Sequence, residues 1–222
     1  MHISIPCAAL MAVTFASLSA ADLDLNDLRF DAGVLSHDFK GGSNTTVNTG
    51  TGTTTTNSGD SGRNADENYR AQIQYVGGHL GFGGGLIYGA GIAVNRATWE
   101  NGSQDAHVTT PTVDVMLGYG YAFTSNWHAE LAPFAGIGRA YYSVTDNGST
   151  TKNSEWDKYL EFGARLGTYV ALGGLVVGVE VPYLVGKFNP SYNYSNGSSQ
   201  VSVTDNRKNQ GFGLLLSVGA RF

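Results

Sequence analysis

Few side chains in this sequence are of the types that acid–base, nucleophilic or metal chemistry requires. The only cysteine is Cys7. After residue 21 the sequence has four histidines: His37, His79, His107 and His128. His128 and Glu130 are separated by one residue, so they share one face of a strand. Two ligands are fewer than a protein zinc site normally uses. We therefore expect this pair to hydrogen-bond within the fold, and we predict no catalytic, metal or cofactor site.

Many of the other charged residues lie inside segments that alternate between apolar and small or polar residues. In the last segment, Gln210–Phe222, every second residue from Phe212 onward is apolar, and most of the intervening residues are glycine, serine or arginine. A period of two indicates a β-strand with one apolar face. In the alternating segments, nine charged residues lie on the face opposite the apolar one: Arg29, Asp31, Arg70, Asp114, Glu130, Glu161, Arg165, Glu180 and Arg221.

Eight alternating segments follow one another, joined by three short turns that alternate with four polar loops. The longest loops are 40–67, which we expect to be mobile, and 189–209, where Tyr192–Tyr194 and Val201–Val203 could extend a hairpin. An even number of strands, with short turns on one side and long loops on the other, is typical of outer-membrane barrels. The sequence therefore predicts an all-β fold, an eight-stranded antiparallel up-and-down transmembrane β-barrel. Pro133 lacks a donor for the strand ladder and predicts a bulge.

A soluble lipocalin-type barrel is the alternative, because its strands alternate in the same way. A lipocalin turns its apolar residues inward around a ligand. Its outward set would then face water and be rich in lysine and glutamate. Here the non-apolar set is rich in glycine and alanine, which favours a narrow interior and an apolar surface that faces lipid.

Composition supports this prediction and argues against other classes. The 222 residues include 31 glycines, and 14% are charged, compared with about 25% in soluble domains. Mean hydropathy is −0.13. Beyond the N-terminus, no run approaches the roughly 18 apolar residues that a spanning helix needs. The formal net charge of −5 argues against nucleic acid as a partner.

Residues 1–21 have the features of a secretory signal peptide. Ile5–Leu18 is an apolar core without charge, and Ser19–Ala21 supplies small residues for cleavage before Asp22. A short buried helix is the alternative interpretation. We expect cleavage to remove Cys7, and residues 22–222 to form the barrel in the outer membrane of a Gram-negative (diderm) bacterium.

The sequence resembles the small eight-stranded outer-membrane proteins, a superfamily that includes the OmpA transmembrane domain, OmpX and the Opacity-type surface proteins. The residues that carry the resemblance are the final strand, which ends at Phe222, and the segment Glu130–Gly138. The resemblance implies that Phe222 belongs to the signal read by the barrel-assembly machinery. It also implies that the extracellular loops contact a host or cell-surface ligand. We expect the protein to be a monomer.

A narrow barrel would hold the inward charges in a poorly hydrated interior, where they need partners. If the turn after the sixth strand is centred between Leu172 and Gly173, Arg165 lies directly opposite Glu180. We predict that Arg165 bridges Glu180 and Glu161. The remaining members of the predicted lumen ion-pair network are Glu130, Asp114, Arg29, Asp31 and Arg70. Such a plug would prevent free diffusion through the barrel.

Four cations have outward parity and lie at the long-loop ends of their strands: Arg96, Arg139, Lys158 and Lys187. The long-loop side is expected to be the cell exterior, where the outer leaflet carries lipopolysaccharide. Arginine and lysine pair well with phosphate. We therefore expect these four residues to contact lipid and lipopolysaccharide. Ordinary snorkelling of long side chains at the membrane interface is the alternative.

Three classes of function remain open. The prediction is a non-catalytic structural or surface protein that acts through its extracellular loops in adhesion, shielding or envelope integrity. A narrow porin-like channel and a lipid-modifying outer-membrane enzyme are the alternatives. Against the enzyme, the sequence has no His-x-Ser pair of the kind that lipid A deacylase barrels show. Asp22–Asp27 is too short for the amphipathic helix that begins the palmitoyltransferase barrels.

Overall fold

The computed structural model describes residues 22–41, 43–48, 51–58, 63–64, 67–81, 83–101, 104–146, 149–151, 156–188, 191–196, 199–204 and 207–222. The predicted signal peptide, residues 1–21, lies outside these ranges. Within them, no helix is long and apolar enough to span a membrane.

Eight long strands form a closed wall, in which every strand pairs with two neighbours. Consecutive strands are antiparallel, and the last pairs with the first along fifteen register positions from Asp27–Arg221 to Gly41–Arg207. The predicted eight-stranded up-and-down barrel is confirmed. The wall strands are β1 (Leu23–Gly41), β2 (Glu67–Leu80), β3 (Gly85–Asn101), β4 (Gln104–Ala122), β5 (Trp127–Asp146), β6 (Trp156–Leu172), β7 (Leu175–Phe188) and β8 (Arg207–Arg221).

The apolar residues of the wall strands face outward. On β2, Tyr69 and Ile73 are 48% and 46% exposed, whereas Arg70 and Gln72 between them are buried. The same alternation holds on the other wall strands, so large apolar side chains cover the outside of the barrel. Soluble monomers rarely expose apolar patches larger than a few hundred Å². This polarity is the opposite of a lipocalin's and fits a wall that faces lipid.

Aromatic side chains cluster at both edges of this apolar surface. Near the short turns, the ring of Phe123 lies 5.2 Å from that of Tyr121 and 4.4 Å from that of Trp127, measured between centroids. At the other end, the rings of Tyr141 and Trp156 lie 5.5 Å apart. Aromatic girdles at two levels are typical of transmembrane barrels, because these side chains suit the boundary between lipid and water.

The three short turns lie at one end of the barrel. Glycines with positive φ make two of them: Gly83 and Gly84 between β2 and β3, and Gly173 between β6 and β7. In the turn between β4 and β5, Thr124 Oγ1 accepts hydrogen bonds from the backbone N–H groups of Asn126 (3.2 Å) and Trp127 (3.0 Å). These local signals fix which strands are neighbours.

At the opposite end, the segment 40–67, which we predicted to be a mobile loop, contains paired strands in the residues that the structure describes. Ser43–Asn48 pairs antiparallel with Thr53–Ser58, and Arg63–Asn64 pairs with β1. Threonine is abundant in these strands and favours extended backbone. Their pairing satisfies backbone hydrogen bonds without an apolar core, which explains why a composition with few apolar residues did not reveal them.

The connection between β7 and β8 also forms a hairpin, as the sequence predicted. Ser191–Asn196 pairs with Ser199–Thr204, with Tyr192 opposite Val203. The second of these strands also pairs with Ser43–Asn48, so the two hairpins form one four-stranded sheet. The short strand Ser149–Thr151 pairs with the end of β5.

The bulge predicted at Pro133 is not present. Met116 pairs with Phe134 on one side of the proline, and Tyr119 pairs with Leu131 on the other. The two pairs belong to the same register, so no extra residue is inserted. Pro133 points outward and is exposed. Because proline has no backbone N–H, the ladder lacks one hydrogen bond at this position.

One prediction concerns His79, which lies beyond the apolar surface at the turn end and is 62% exposed. Its ring nitrogens contact Asp24 Oδ1 at 2.7 Å and Asp22 Oδ1 at 3.0 Å. The hydrogen bond to Asp24 and the charge of Asp22 raise the pKa of His79. Since the folded pKa is the higher one, this stabilisation is present below the unfolded pKa of about 6.5. The stabilisation is lost as pH rises through the pKa of His79 in the folded protein.

Titration of the His79 ring resonances by NMR in micelles should give a pKa above that of an unperturbed histidine. The substitution Asp24→Asn should lower it toward that value. An equal pKa in both proteins would contradict the contact.

Candidate functional site in the barrel interior

The charged residues with inward parity meet in the interior, where strands on opposite sides of the barrel touch. Arg29 of β1 contacts Glu130 of β5, and Arg70 of β2 contacts Glu161 of β6. In a ring of eight strands, each of these pairs joins positions four strands apart. Eight-stranded barrels are about as wide as the side chains that fill them. The result is a plug of ion pairs and hydrogen bonds across the lumen.

Arg29 is the central cation of the half nearest the turns and is fully buried. Its guanidinium donates to both oxygens of Glu130 (2.7 and 3.0 Å) and to Asp27 Oδ2 (2.8 Å). Its Cζ also lies 3.8 Å from the centroid of the Tyr169 ring. A bidentate carboxylate, a second acid and an aromatic face together offset the cost of burying one cation.

Asp27 and Arg221 join the two strands at which the barrel closes. Arg221 Nε donates to Asp27 Oδ1 (2.7 Å), and its Nη2 donates to Asp27 Oδ2 (2.9 Å). The predicted lumen ion-pair network did not include Asp27. The signal was available, because Asp27, Arg29 and Asp31 have the same parity.

Arg165 and Glu180 lie together, with Arg165 Nη1 3.1 Å from Glu180 Oε2. The predicted register was nevertheless wrong by two residues. The turn is centred between Gly173 and Gly174, so Arg165 lies opposite Pro182 and reaches Glu180 diagonally. A shift of two residues keeps every side chain on its face, so long side chains still meet.

Glu161 does not bind Arg165 as predicted; it binds Arg70 instead. Arg70 Nη1 lies 2.9 Å from Glu161 Oε1, and Arg70 Nη2 lies 2.6 Å from Asp114 Oδ2. Asn95 completes this half of the plug, because it accepts from Arg70 (2.9 Å) and donates to Glu161 Oε2 (3.0 Å). The two acids lie on different strands, and Arg70 bridges them across the barrel.

Two glutamines, which the prediction did not include, connect the two halves. Gln72 accepts from Arg70 Nε (2.9 Å) and donates to Asp31 Oδ2 (3.0 Å). Gln74 donates to the same Asp31 oxygen (2.6 Å) and accepts from Arg165. Both have the inward parity of Arg70, so the strand pattern marked them. A pattern of charged residues does not identify them, although the donor and acceptor of an uncharged amide suit it to link an acid with an arginine.

Glycine makes room for the plug at Gly136. A Cβ at this position would overlap Asp114 Oδ1 and lie 2.9 Å from Glu161 Cγ. Gly136 is directly opposite Asp114 on one side and Glu161 on the other. The inward glycine at this position therefore relieves crowding between two carboxylates that bind Arg70.

Apolar layers close the interior above and below the ionic plug. At the loop end, Tyr159 and Phe188 are 1% and 2% exposed and pack with smaller side chains. At the turn end, Leu80 and Ile87 are fully buried in a second cluster. Between them lies a cavity of about 20 Å³, lined in part by Gln74, Arg165 and Glu180. Such a volume accommodates about one water molecule.

The predicted pairing of His128 and Glu130 is present, with His128 Nε2 3.0 Å from Glu130 Oε1. His128 also stacks on Tyr169, with 5.4 Å between ring centroids. Glu130 already forms an ion pair with Arg29, so the cation beside its carboxylate is a guanidinium. Among the described residues, no group of three or more metal-ligating His, Cys, Asp or Glu side chains is present. The pair therefore belongs to the hydrogen-bonded plug.

The four outward cations lie at the loop end of the wall, and all four are exposed. Arg139 and Lys158 are directly opposite each other on β5 and β6. Lys187 is directly opposite Lys208 on β8, a residue that the sequence interpretation assigned to a loop. Arg96 stands apart on β3, opposite Thr109. The register thus gathers cations that the sequence separates by nineteen or more residues.

Phe222 lies at the turn end beside the closing strands. Its backbone N–H donates to the carbonyl of Asn26 (3.2 Å), and its side chain is 68% exposed on the outer surface. The side chain of His37 lies outside the described residues.

No protein-family model matches the chain, and no curated protein sequence matches it. The chain is similar to several solved structures. Neisserial surface protein A (NspA) is 15% identical, with a TM-score of 0.43 over 89% of this chain and 97% of that chain. The Pseudomonas putida toluene transporter TodX is 9% identical, with a TM-score of 0.23 over 89% of each chain. These similarities are too distant to indicate a shared activity, and the strand pairing of this chain establishes its fold by itself.

The first prediction for the interior concerns Arg165. The substitution Arg165→Met should lower the free energy of unfolding by about 3–5 kcal/mol, because it leaves Glu180 buried without its cation. Urea unfolding of the folded barrel in micelles, followed by its gel mobility without heating, measures this change. Arg96→Gln is the matched control, since an exposed cation should change stability by less than about 0.5 kcal/mol.

The double variant Arg165→Met/Glu180→Gln should recover part of the loss, because the uncompensated charge is gone. An Arg165→Met barrel as stable as the control would show that water reaches the plug.

The second prediction compares two glycines. Gly136→Ala should destabilise the barrel by about 1–3 kcal/mol, since the added methyl group displaces Asp114 from Arg70. Gly174→Ala is the control, because a Cβ there meets only ordinary contact at 3.6 Å from a carbonyl oxygen. Equal stabilities in the same unfolding assay would contradict the close approach at Gly136.

Proposed function

We propose that the protein is a structural or surface barrel of the outer membrane of a diderm bacterium, exported with cleavage of residues 1–21. In this proposal it does not catalyse a reaction, and it acts through the end that carries the long connections. The observation that carries the proposal is the polarity of the fold. An apolar outer surface between two aromatic girdles surrounds a core of ion pairs, which is the arrangement suited to a rigid membrane anchor.

The filled interior favours this role over a narrow channel. A solute crossing the barrel would have to displace Tyr159 and Phe188, then break the contacts of Arg70 and Arg165, then pass Leu80. Each buried ion pair that opens leaves charges without partners, at a cost of several kcal/mol. Passage by thermal fluctuation would therefore be rare.

Two of the histidine side chains that the structure describes, His79 and His128, favour a non-catalytic role. His128 is completely buried against Glu130 and has no contact with the surface. His79 lies at the turn end, where it pairs with Asp24. A base that activates a nucleophile needs access to substrate, which His128 lacks.

The four-stranded sheet at the loop end is the natural place for contact with partners. It joins the connection between β1 and β2 to that between β7 and β8 through the pairing of Thr45 with Thr204. Its strands are rich in threonine, serine and asparagine, which offer hydrogen bonds to polar surfaces. Adhesion to, or shielding from, a host or cell-surface ligand fits this chemistry.

Two measurements test the proposal separately. The purified barrel should show heat-modifiable mobility on a gel. After insertion in a planar bilayer, it should show no single-channel conductance steps. Frequent conductance steps would instead favour the channel.

In bacteria that display the protein, replacement of residues 43–58 by a short glycine–serine linker should reduce adherence to host-cell monolayers. Replacement of 149–151 by the same linker is the control, because within the described part of the chain that strand pairs with β5 and not with the four-stranded sheet. Unchanged adherence, with the barrel still inserted, would argue against a role for the sheet.

A further inference from the structure

The outer wall has a groove in a surface that is otherwise convex. The groove has a volume of about 580 Å³ and crosses β2, β3, β4 and β5 near the loop end. Its floor is made of the smaller side chains Ala71, Val94 and Pro111, which occupy one row of the strand register. The next row toward the turns supplies a raised edge of larger residues: Phe30, Ile73, Ile92, Val113 and Ile137.

The volume lies within the roughly 300–1,000 Å³ of ordinary ligand sites, and the lining is almost entirely apolar. A lipid chain is the apolar ligand that this surface meets if the barrel lies in a membrane, and the inference rests on that part of the proposed function.

Positive charge stands at one end of the groove. Arg139 lines it, and Arg139 Nη1 donates to the backbone carbonyl of Trp156 (3.0 Å), which holds the guanidinium at the groove mouth. Lys158 is the direct cross-strand neighbour of Arg139, and both side chains point outward. Like charges directly opposite each other destabilise a sheet.

We propose that the groove and this pair of cations form one binding site for a phosphorylated lipid of the surrounding leaflet. One acyl chain occupies the groove, and the phosphate lies between Arg139 and Lys158. The phosphate relieves the repulsion between the two cations through charge-assisted hydrogen bonds. A neutral lipid would leave the cations uncompensated, and a soluble anion would leave the groove without its chain.

The proposed site includes one pair of outward cations and excludes another. Arg139 and Lys158 stand at the groove, whereas Lys187 and Lys208 pair with each other on β7 and β8, away from it. General attraction of a basic rim to anionic lipid would involve both pairs alike. A built site would depend on Arg139 and Lys158 far more than on Lys208.

The test is native mass spectrometry of the folded barrel, released from detergent micelles that contain a defined lipid. A diacyl lipid with a phosphate monoester, phosphatidic acid, should be retained as one molecule per barrel. Diacylglycerol with the same chains should be lost. Inorganic phosphate, even in large excess, should not displace the lipid.

Two sets of variants test separately how the two cations and the apolar groove contribute to lipid retention. Arg139→Gln/Lys158→Gln should weaken retention of phosphatidic acid by at least about tenfold, since a charged hydrogen bond is worth about that much in affinity. Ala71→Phe, which fills the groove floor, should weaken it similarly. The controls are Ala135→Phe, an outward exposed alanine of β5 that does not line the groove, and Lys208→Gln. Both should retain lipid like the unmodified protein.

Equal retention of diacylglycerol, or equal losses in the Lys208→Gln control, would overturn the proposal. Gel mobility without heating shows, for each variant, that the barrel has formed. If Ala71→Phe does not fold, Val94→Phe fills the same row of the groove and takes its place. A protein that forms no membrane-inserted barrel at all would contradict the proposed function, whereas an inserted barrel without lipid selectivity contradicts only this inference.

Discussion

The fold depends on matching two sets of side chains to the two sides of a wall that is one strand thick. Successive residues of each strand face lipid and lumen in turn, so a residue that suits one side is costly on the other. A cation in the middle of the lipid-facing surface costs about 2–4 kcal/mol. An uncompensated charge in the lumen costs a similar amount. Closure of β8 on β1 then leaves the wall itself without a free strand edge.

The ionic plug contributes specificity more than net stability. A buried ion pair gains little over apolar residues of equal volume, but breaking it by removal of one partner is costly. Arg29, Arg70 and Arg165 each reach an acid or an amide on the far side of the barrel. A slip of one residue in any hairpin would move such an arginine into lipid and leave its acid alone. The plug therefore selects one register among those that the apolar pattern permits.

Because the same plug fills the lumen, the surfaces open to other molecules are the ends and the outer wall of the barrel. Side chains from opposite strands meet in the lumen, and apolar layers cover both sides of the ionic core, so the interior is structural. Variation that leaves this core intact is confined to the outer wall and the loop end. The groove beside Arg139 and the sheet built from two hairpins lie in those two places. The groove forms from one row of side chains on consecutive strands, whereas the sheet forms where two connections distant in sequence pair.

The sequence by itself determined the faces: alternation in every wall strand predicted which residues point to lipid and which to the lumen, and short turns alternating with polar loops predicted the order of the strands. These features are local, since they depend on a period of two and on backbone conformation within a few residues. The tertiary structure alone decided the partners. Arg165 lies diagonal to Glu180 because the turn is centred one residue later than expected. Glu161 binds Arg70 because the lumen is narrow enough for opposite strands to touch. Such contacts depend on the stagger and closure of all eight strands, which no single segment encodes.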